Sequence, residues 1–242
     1  MILIVLSVNM NKDNLLLKDP LVSIIMSVFN NESDVASSIE SILCQTYKNF
    51  EFLILDDGST DSTQKIIRGY KDDRISVFTN SENIGLTKSL NKLIIKASGD
   101  YIARQDADDL SKKERIETQI KYIQEKNLDA CTTRAIVRNK KRIIPRYSYY
   151  FPNKFVMKYK NPFIHGSLLI KRETLNRIDL YNEKFKFAQD YKLFDDLIKA
   201  NYKIRTIKEP LYYLNTENNI STLKLNEQQY YADCVRKNIL PE

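Results

Sequence analysis

The sequence predicts an α/β fold, with a doubly wound, mainly parallel sheet and helices on both faces. Short apolar runs alternate with helical periodicity four times in about a hundred residues, as expected for repeated strand and helix units. Two of these apolar runs end directly in clusters of aspartate. In sheets of this kind ligands bind beyond the carboxyl ends of the strands, so the predicted fold also places a candidate site.

The first half of the chain contains four predicted strands. Leu21 to Val28 is an apolar, β-branched run, which is typical of a strand buried on both faces of a sheet. Further strands are predicted at Phe50 to Leu55, Ile75 to Phe78 and Tyr101 to Ala103. Helices with one apolar face are predicted between them, near Glu32 to Gln45, around Ile66 and Ile67, and from Leu86 to Ile94.

The second half of the chain is less regular. After a predicted helix, a basic, tyrosine-rich stretch has no clear period, and regular structure then resumes. The predicted order is a helix from Lys112 to Glu125, the irregular stretch from Arg138 to Lys160, regular structure from Gly166 to Lys171, a helix beginning near Asp190, a short strand from Lys203 to Ile207, and a helix from Leu223 to Asn238.

No linker rich in Pro, Gly or Ser divides the chain, so we expect one main domain over residues 21–221. An extension over residues 1–20 would precede it, and a helix over residues 222–242 would follow it. Within the main domain, residues 21–110 would form a nucleotide-binding half and residues 111–221 an acceptor-side half.

Charge and cysteine content restrict the class of protein. A net charge of +7 suits anionic partners such as nucleotide diphosphates, acidic polysaccharide or an anionic membrane surface. No basic helix with interleaved aromatic residues occurs, so no nucleic acid partner is expected. The three cysteines have neither zinc-binding nor disulfide spacing, and the apolar start is too short to cross a bilayer. We therefore expect a cytoplasmic protein that can contact the inner face of the membrane peripherally.

The strongest chemical signal is the turn from Asp106 to Asp109, which has three carboxylates in four positions. Like charges this close repel unless a cation lies among them, and Mg²⁺ or Mn²⁺ takes oxygen ligands from one or two aspartates and from substrate phosphates. The alternative is a solvated acidic turn in which Asp109 favours the dipole of the next helix. A second acidic turn, Asp56 to Asp61, follows the second strand, so a nucleotide site is predicted at residues 28–32, 56–57 and 106–109.

Five segments in this order resemble the family 2 inverting glycosyltransferases, which have a GT-A fold. They are Val22 to Asn30, Asp56 to Asp61, Asn83 to Leu86, Gly99 to Ala103 with Asp106 to Asp109, and Gln189 to Tyr191. The resemblance implies a UDP-sugar donor, Mn²⁺ or Mg²⁺ as the cofactor, and a glycan or lipid-linked glycan acceptor. The product would be a surface glycan such as lipooligosaccharide or capsule, made at the inner face of the membrane.

The resemblance also implies roles for residues at the first two strand ends. Phe29 and Glu32, in the turn that contains Asn30, would line the nucleobase pocket, and Asp57 would accept a hydrogen bond from uracil. The alternatives are a core aromatic, a helix N-terminal charge and a turn residue.

Roles at the acidic turn follow in the same way. Asp106 would contact the ribose or the metal, Asp108 would bind the metal, and Asp109 would support them from behind. Arg104 could meet the diphosphate or balance the charge of the aspartates, and Lys88 has the same two alternatives.

Sugar transfer with inversion needs a base for the attacking hydroxyl, and the resemblance assigns that role to Asp190. Its alternative is an N-cap or first-turn acid of the helix that begins there. His165, the only histidine, could be a ligand or a hydrogen-bonded structural residue. Many relatives have an Arg and a His in a closing loop after the last strand, whereas this chain would have to use Asn215, Asn218 or Ser221.

Three other classes compete with this interpretation. A sugar-phosphate nucleotidyltransferase would need a Gly-rich or basic loop after the first strand, and Val28 to Glu32 has neither. A dinucleotide-dependent oxidoreductase would need a glycine fingerprint there, and the whole chain has five glycines. A catalytically silent relative that only binds a sugar nucleotide would be expected to lack Asp108 or Asp190, and both are present.

Overall fold

The computed structural model describes residues 19–217 and 224–242. Most of the predicted N-terminal extension lies outside the described residues, as do the proposed loop residues Asn218 and Ser221. In the described part of the chain, no helix combines the length and the apolar character that crossing a membrane requires.

The first half of the chain forms four parallel strands with helices between them. The elements are β1 (Val22–Val28), α1 (Val35–Leu43), β2 (Phe50–Asp56), α2 (Thr63–Gly69), β3 (Ile75–Thr79), α3 (Leu86–Lys96) and β4 (Tyr101–Arg104). The strand order is β3-β2-β1-β4, and every neighbouring pair is parallel. Each predicted strand of this half is present, and each predicted helix lies where its apolar face indicated.

The second half adds five strands and five helices among the described residues. They are β5 (Leu110–Ser111), α4 (Arg115–Lys126), β6 (Ala130–Val137), β7 (Arg142–Ile144), α5 (Asn153–Val156), β8 (Leu169–Lys171), α6 (Arg172–Arg177), α7 (Gln189–Lys199), β9 (Ile204–Leu214) and α8 (Leu225–Lys237). Short 3₁₀ segments lie at Arg138–Lys140, Tyr147–Tyr150 and His165–Ser167.

Beyond β4 the sheet is mixed. Its order continues β4-β8-β6-β9-β5, with β7 paired to β6. The β4–β8, β6–β8, β6–β7 and β5–β9 pairs are antiparallel, and only the β6–β9 pair is parallel. The α/β fold is therefore confirmed, while the predicted parallel arrangement describes the first four strands and not the rest.

The short elements β5, β7, α5 and α6 were not predicted from the sequence. Strands β6 and β9 also differ from the sequence prediction, for identifiable reasons. Strand β6 was not predicted because Thr132 and Thr133 interrupt its apolar run, although both are buried. Strand β9 continues past the predicted end at Ile207 to Leu214, even though it contains Pro210. The proline lies where the β6–β9 register shifts, and such an irregularity tolerates a residue that lacks an N–H donor.

The core lies on both faces of the sheet, as a doubly wound fold requires. Ile24 and Met26 of β1 pack in one cluster with α1, α2 and α4. Ile25 of the same strand packs in the other cluster with α3 and α7. Because successive strand residues point to opposite faces, this alternation buries both sides of β1.

Candidate functional site

The predicted site residues lie at the carboxyl ends of the parallel strands. Val28 at the end of β1 pairs with Asp56 at the end of β2. On the other side of β1, Arg104 at the end of β4 pairs with Ile25. The two acidic turns therefore lie at the same end of the sheet, beyond the carboxyl ends of its strands, on either side of the turn that follows β1.

The turn after β1 is fastened to the turn after β2. The backbone N–H of Asn30 donates to Ser59 Oγ (2.9 Å), and Asn30 Oδ1 accepts from the backbone N–H of Thr60 (2.8 Å). Glu32 Oε2 likewise accepts from the backbone N–H of Ser62 (2.8 Å). Asn30 has φ 48°, a left-handed conformation that asparagine tolerates better than most residues. Asn30 and Glu32 thus form the rim of the site by joining these two turns.

Phe29 is 45% exposed at this rim. The alternative that it is a core aromatic is therefore wrong. An exposed ring beside a strand end can stack against a planar ligand, which is the geometry that a nucleobase pocket needs.

Asp57 is buried and joins the end of β2 to the start of α3. Its carboxylate accepts from Asn80 Nδ2 (2.7 Å) and from the backbone N–H groups of Ile84 (3.1 Å) and Gly85 (2.9 Å). Each carboxylate oxygen has two acceptor positions, so Asp57 Oδ2, with one donor, can accept another hydrogen bond. Lys88 is exposed one turn into the helix that Gly85 precedes.

Arg104 is buried and forms an ion pair with Asp106. Burial is the largest single effect and opposes the charged guanidinium, but the charge and hydrogen bond of Asp106, with smaller contributions from Tyr181 and Tyr212, together outweigh it and raise the pKa of Arg104. This contact favours the second alternative for Arg104, in which it balances the charge of the acidic turn. Asp106 remains partly exposed, with 29% of its side chain accessible.

Two buried residues hold the acidic turn by hydrogen bonds to its backbone. Neither was predicted from the sequence. Gln105 is fully buried, and its Nε2 donates to the carbonyl oxygens of Asp106 (3.1 Å) and Asp109 (2.9 Å). Tyr212 of β9, also fully buried, accepts the backbone N–H of Asp106 on its Oη (3.1 Å). The only available signal was a polar residue at position 105 directly after an apolar strand.

Gly166 is the third missed residue. A Cβ added to Gly166 would overlap the hydroxyl of Tyr212 and the carboxylate of Asp106. The 3₁₀ segment His165–Ser167 can approach the acidic turn this closely only because position 166 has no side chain.

The carboxylates of the acidic turn lie close together, and burial and their charges raise the pKa values of two of them. Burial and then the charge of Asp106 raise the pKa of Asp108 to about 6. Burial, together with Asp106 and Asp108, raises the pKa of Asp109 well above its usual value. Asp109 is only 2% exposed and accepts from the backbone N–H of Asn215 (2.6 Å). The alternative of a solvated acidic turn is therefore wrong for Asp109, which precedes β5 and not a helix.

The donor set of this turn fits a hard divalent cation. Asp106 and Asp108 are partly exposed carboxylates, and a cation between them would relieve the repulsion that raises the pKa of Asp108. Over residues 19–217 and 224–242, no group of three or more His, Cys, Asp or Glu residues is arranged to hold a metal ion. A cation here would therefore need further oxygen ligands from phosphates or water, which Mg²⁺ and Mn²⁺ accept.

Asp190 lies in the first turn of α7, where its Oδ2 accepts from Asn161 Nδ2 (2.7 Å). The N-cap of α7 is Ala188, so Asp190 is not the N-cap, but it is a first-turn acid of the helix, the other form of the alternative role. Burial raises the pKa of Asp190, and the charge of Asp106 adds to the rise. The hydrogen bonds from the backbone of Tyr191 and from Asn161 oppose it.

His165 belongs to the polar cluster between these two acids. Its Nε2 lies 2.7 Å from Tyr181 Oη. Burial, and then the charge of Arg104, lower the pKa of His165 well below its usual value, so the ring is neutral at physiological pH. Burial raises the pKa of Tyr181, and the charges of Asp190 and Asp106 add to the rise. The segment 161–166 connects the two acids, because Asn161 donates to Asp190 and Gly166 lies against the carboxylate of Asp106.

Comparison with known proteins gives a consistent result. The model of a family described as Glycosyl transferase family 2 matches residues 23–179. The putative glycosyltransferase EpsE of Bacillus subtilis is 34% identical over 204 residues, which is 80% of this chain and 72% of EpsE. An Escherichia coli protein, UDP-Glc:alpha-D-GlcNAc-diphosphoundecaprenol beta-1,3-glucosyltransferase WfgD, is 31% identical over 185 residues, 76% of this chain and 72% of WfgD.

Solved structures share the fold. TarS 1–349 from S. aureus, in complex with UDP-GlcNAc, has a TM-score of 0.70 at 21% identity and covers 82% of this chain. The mannosyltransferase PcManGT from Pyrobaculum calidifontis, in complex with GDP-Man and Mn²⁺, has a TM-score of 0.71 at 18% identity and covers 92%. This chain spans 59% of that TarS chain and 66% of PcManGT.

Proposed function

Since this chain belongs to glycosyltransferase family 2, we propose that it is an inverting enzyme that transfers a hexose or N-acetylhexosamine from a UDP-sugar to a glycan acceptor. The acceptor is a growing surface glycan, of the lipooligosaccharide or capsule kind, and can be lipid-linked. One observation carries the proposal: a single short segment, residues 161–166, touches both acids, since Asn161 donates to Asp190 and Gly166 lies against the carboxylate of Asp106.

The donor binds at the edge formed by the first two strands in this proposal. The exposed ring of Phe29 stacks on the nucleobase, within the rim that Asn30 and Glu32 fasten, and Asp57 Oδ2 accepts from the uracil ring. Names of known proteins support a nucleotide sugar: WfgD uses UDP-Glc, and TarS was solved with UDP-GlcNAc. The GDP-Man bound to PcManGT makes GDP-sugars the donor to test against.

Asp106 and Asp108 would hold Mn²⁺ or Mg²⁺ beside the donor diphosphate, where the cation offsets the charge that develops on the leaving group. Arg104 orients the Asp106 carboxylate through their ion pair. Lys88 lies on α3 near the nucleotide edge, where its ammonium group can approach the phosphates.

Asp190 accepts the proton of the attacking acceptor hydroxyl in this proposal. Asn161 holds Oδ2 by a hydrogen bond of 2.7 Å and thereby fixes the orientation of the carboxylate. A raised pKa makes the ionised carboxylate a stronger base, provided that the solution pH is above it. Activity should therefore fall as the pH decreases through the pKa of Asp190.

Replacement of the base tests the proposal. We expect Asp190→Asn to lower turnover of UDP-sugars by about 10²-fold or more, the range of a lost general base, while UDP still raises the melting temperature. Asp196→Asn is the matched control, because Asp196 lies on the same helix and pairs with Lys192. It should retain turnover close to that of the unmodified protein.

Two results would contradict the proposal. One is full turnover by Asp190→Asn. The other is binding of UDP-sugars with neither hydrolysis nor transfer to any acceptor, which would favour a catalytically silent relative.

A further inference from the structure

The positive charge of this protein is concentrated in one part of the chain. Residues 130–172 contain eleven of the 38 Lys and Arg residues and none of the 31 Asp and Glu residues. The rest of the chain therefore has 27 basic side chains against 31 acidic ones. The excess that gives the whole chain its charge of +7 comes from this segment.

Large aromatic side chains are exposed within the same segment. Five of them are between 51 and 72% exposed: Tyr147, Tyr150, Phe151, Phe155 and Tyr159. The remaining described residues outside positions 147–159 contribute seven exposed large hydrophobic side chains, spread over the rest of the chain. We call residues 146–160 the aromatic-basic surface.

Lysines lie beside aromatic residues in the second part of this surface. Lys154 and Lys158 are exposed, and they neighbour Phe155 and Tyr159 in the chain. The rings of Phe155 and Tyr159 are in edge contact, with centroids 5.4 Å apart. Lys154 also lines a groove that contains Lys126, Lys203 and Arg205, so further cations adjoin the surface.

Buried side chains and hydrogen bonds to the backbone hold this segment on the protein, so its exposed rings are not needed for that purpose. Val156 and Met157 are buried, each 6% exposed. Tyr191 Oη donates to the carbonyl oxygen of Met157 (2.5 Å), and Arg236 donates to that of Tyr159 (3.3 Å). Several exposed aromatic side chains on a fixed backbone are typical of an interaction site.

We propose that the aromatic-basic surface binds an anionic lipid bilayer. Aromatic rings sit favourably at the boundary between headgroups and acyl chains, and neighbouring lysines reach anionic headgroups. A soluble acidic polymer would use the cations and leave the rings in water, so the exposed aromatics favour the bilayer. The biological reason rests on the proposed function, since a lipid-linked acceptor is presented at a membrane.

The part of the surface that begins at Asn153 is separated from the acidic turn along the sheet, whereas Tyr149 contacts Arg134, next to the β6 partner of Tyr212. Asn153 Nδ2 donates to the carbonyl oxygen of Ile204 (3.4 Å) at the start of β9, whereas Tyr212 contacts the acidic turn near the end of that strand. Ile204 and Tyr212 pair with Ala130 and Ala135 of β6. These two alanines are five residues apart, which is about 17 Å along a strand. Substitutions close to Asn153, at positions 154–159, should therefore leave the donor site intact.

Vesicle flotation tests the proposal with the full chain. We expect binding to phosphatidylcholine vesicles that contain phosphatidylglycerol, and little binding to phosphatidylcholine alone. Phe155→Ser with Tyr159→Ser, and separately Lys154→Glu with Lys158→Glu, should each weaken this binding by about tenfold or more. Matched controls elsewhere are Lys65→Glu with Lys71→Glu, both exposed, and Ile95→Ser, which is 75% exposed. The controls should bind as the unmodified protein does.

The outcomes separate this proposal from the proposed function. Absence of binding to anionic vesicles overturns the bilayer proposal. It is also overturned if the lysine variant loses binding while the aromatic variant binds normally, because that result describes attraction to any polyanion. The UDP-induced change in melting temperature is measured on the same samples and confirms that each variant is folded. Vesicle binding without any response to UDP would count against the proposed donor and not against the bilayer contact.

Discussion

At the scale of single residues, the acidic turn has more carboxylates than cationic partners. Asp106 has the buried guanidinium of Arg104, whereas Asp109 accepts from the neutral backbone N–H of Asn215. Arg138 lowers the pKa of Asp108, but burial and Asp106 outweigh it. A folded chain with unrelieved repulsion at this point gains stability when a cation binds or when one charge is removed.

The stability of the metal-free protein should therefore depend on Asp108. Its pKa is raised from 3.8 to about 6, so the folded state binds the proton more tightly than the unfolded state does. The resulting stabilisation is present below about pH 4 and is lost as the pH rises through about 6. We expect Asp108→Asn, in EDTA at neutral pH, to increase the free energy of unfolding by about 1 kcal/mol, discounted for partial exposure.

Thermal unfolding measured at several pH values checks this prediction. The difference between Asp108→Asn and the unmodified protein should shrink as the pH falls towards 4. Asp73→Asn, at an exposed turn position, is the control and should change little. A destabilised Asp108→Asn in EDTA would show that the carboxylate is held by favourable contacts instead.

At the scale of structural elements, the acidic turn is held between segments that are far apart in the sequence. Tyr212 of β9 contacts Asp106 across 106 positions of the chain, and the 3₁₀ segment at His165–Ser167 packs against both residues. The antiparallel strand β8 follows that segment directly and pairs with β4. The site geometry therefore depends on how the second half of the sheet packs on the first.

Gly166→Ala tests this packing. The added methyl group has no space between Asp106 and Tyr212, and we expect a loss of about 1–3 kcal/mol in stability and a weaker response to Mn²⁺ with UDP. Gly69→Ala is the matched control, because a Cβ there meets no atom within 4 Å. It should be neutral or slightly stabilising, since alanine reduces the entropy of the unfolded chain. Equal melting temperatures and equal ligand responses for the two variants would refute the close packing.

At the scale of the whole molecule, the two halves meet around the site. The carboxyl ends of the parallel strands β1, β2 and β4 form the proposed nucleotide site, while α7 and β9 from the second half supply Asp190 and Tyr212. Ligands that touch both halves should stabilise the complete fold, because binding to the folded state alone shifts the unfolding equilibrium.

We therefore expect UDP with Mn²⁺ to raise the melting temperature, by about 5–10 °C at a hundredfold excess over the dissociation constant. EDTA should abolish most of this shift, because the proposed cation links the diphosphate to Asp106 and Asp108. GDP with Mn²⁺ should give a smaller shift if the nucleobase is read by Asp57. A UDP shift that is insensitive to EDTA would contradict a metal-linked donor site.

Much of the architecture could be predicted because its signals are local. The first four strands are short apolar runs, and the helices between them have one apolar face, so periodicity alone locates them. Family membership could also be predicted, since five short motifs occur in order. Strand β6 could not, because its buried Thr132 is satisfied by Thr206 on β9 (3.0 Å), a partner that is 74 residues away.

By itself, the sequence determined the alternation of strands and helices, the carboxylates at two strand ends and the family of the chain. Each of these depends on residues that are neighbours in the sequence. Only the tertiary structure decided the mixed order of the second half of the sheet, the burial of Arg104 against Asp106 and the approach of Tyr212 and Gly166 to the acidic turn. Those features depend on contacts between distant segments, and a linear pattern of polar and apolar residues does not specify which distant side chains meet.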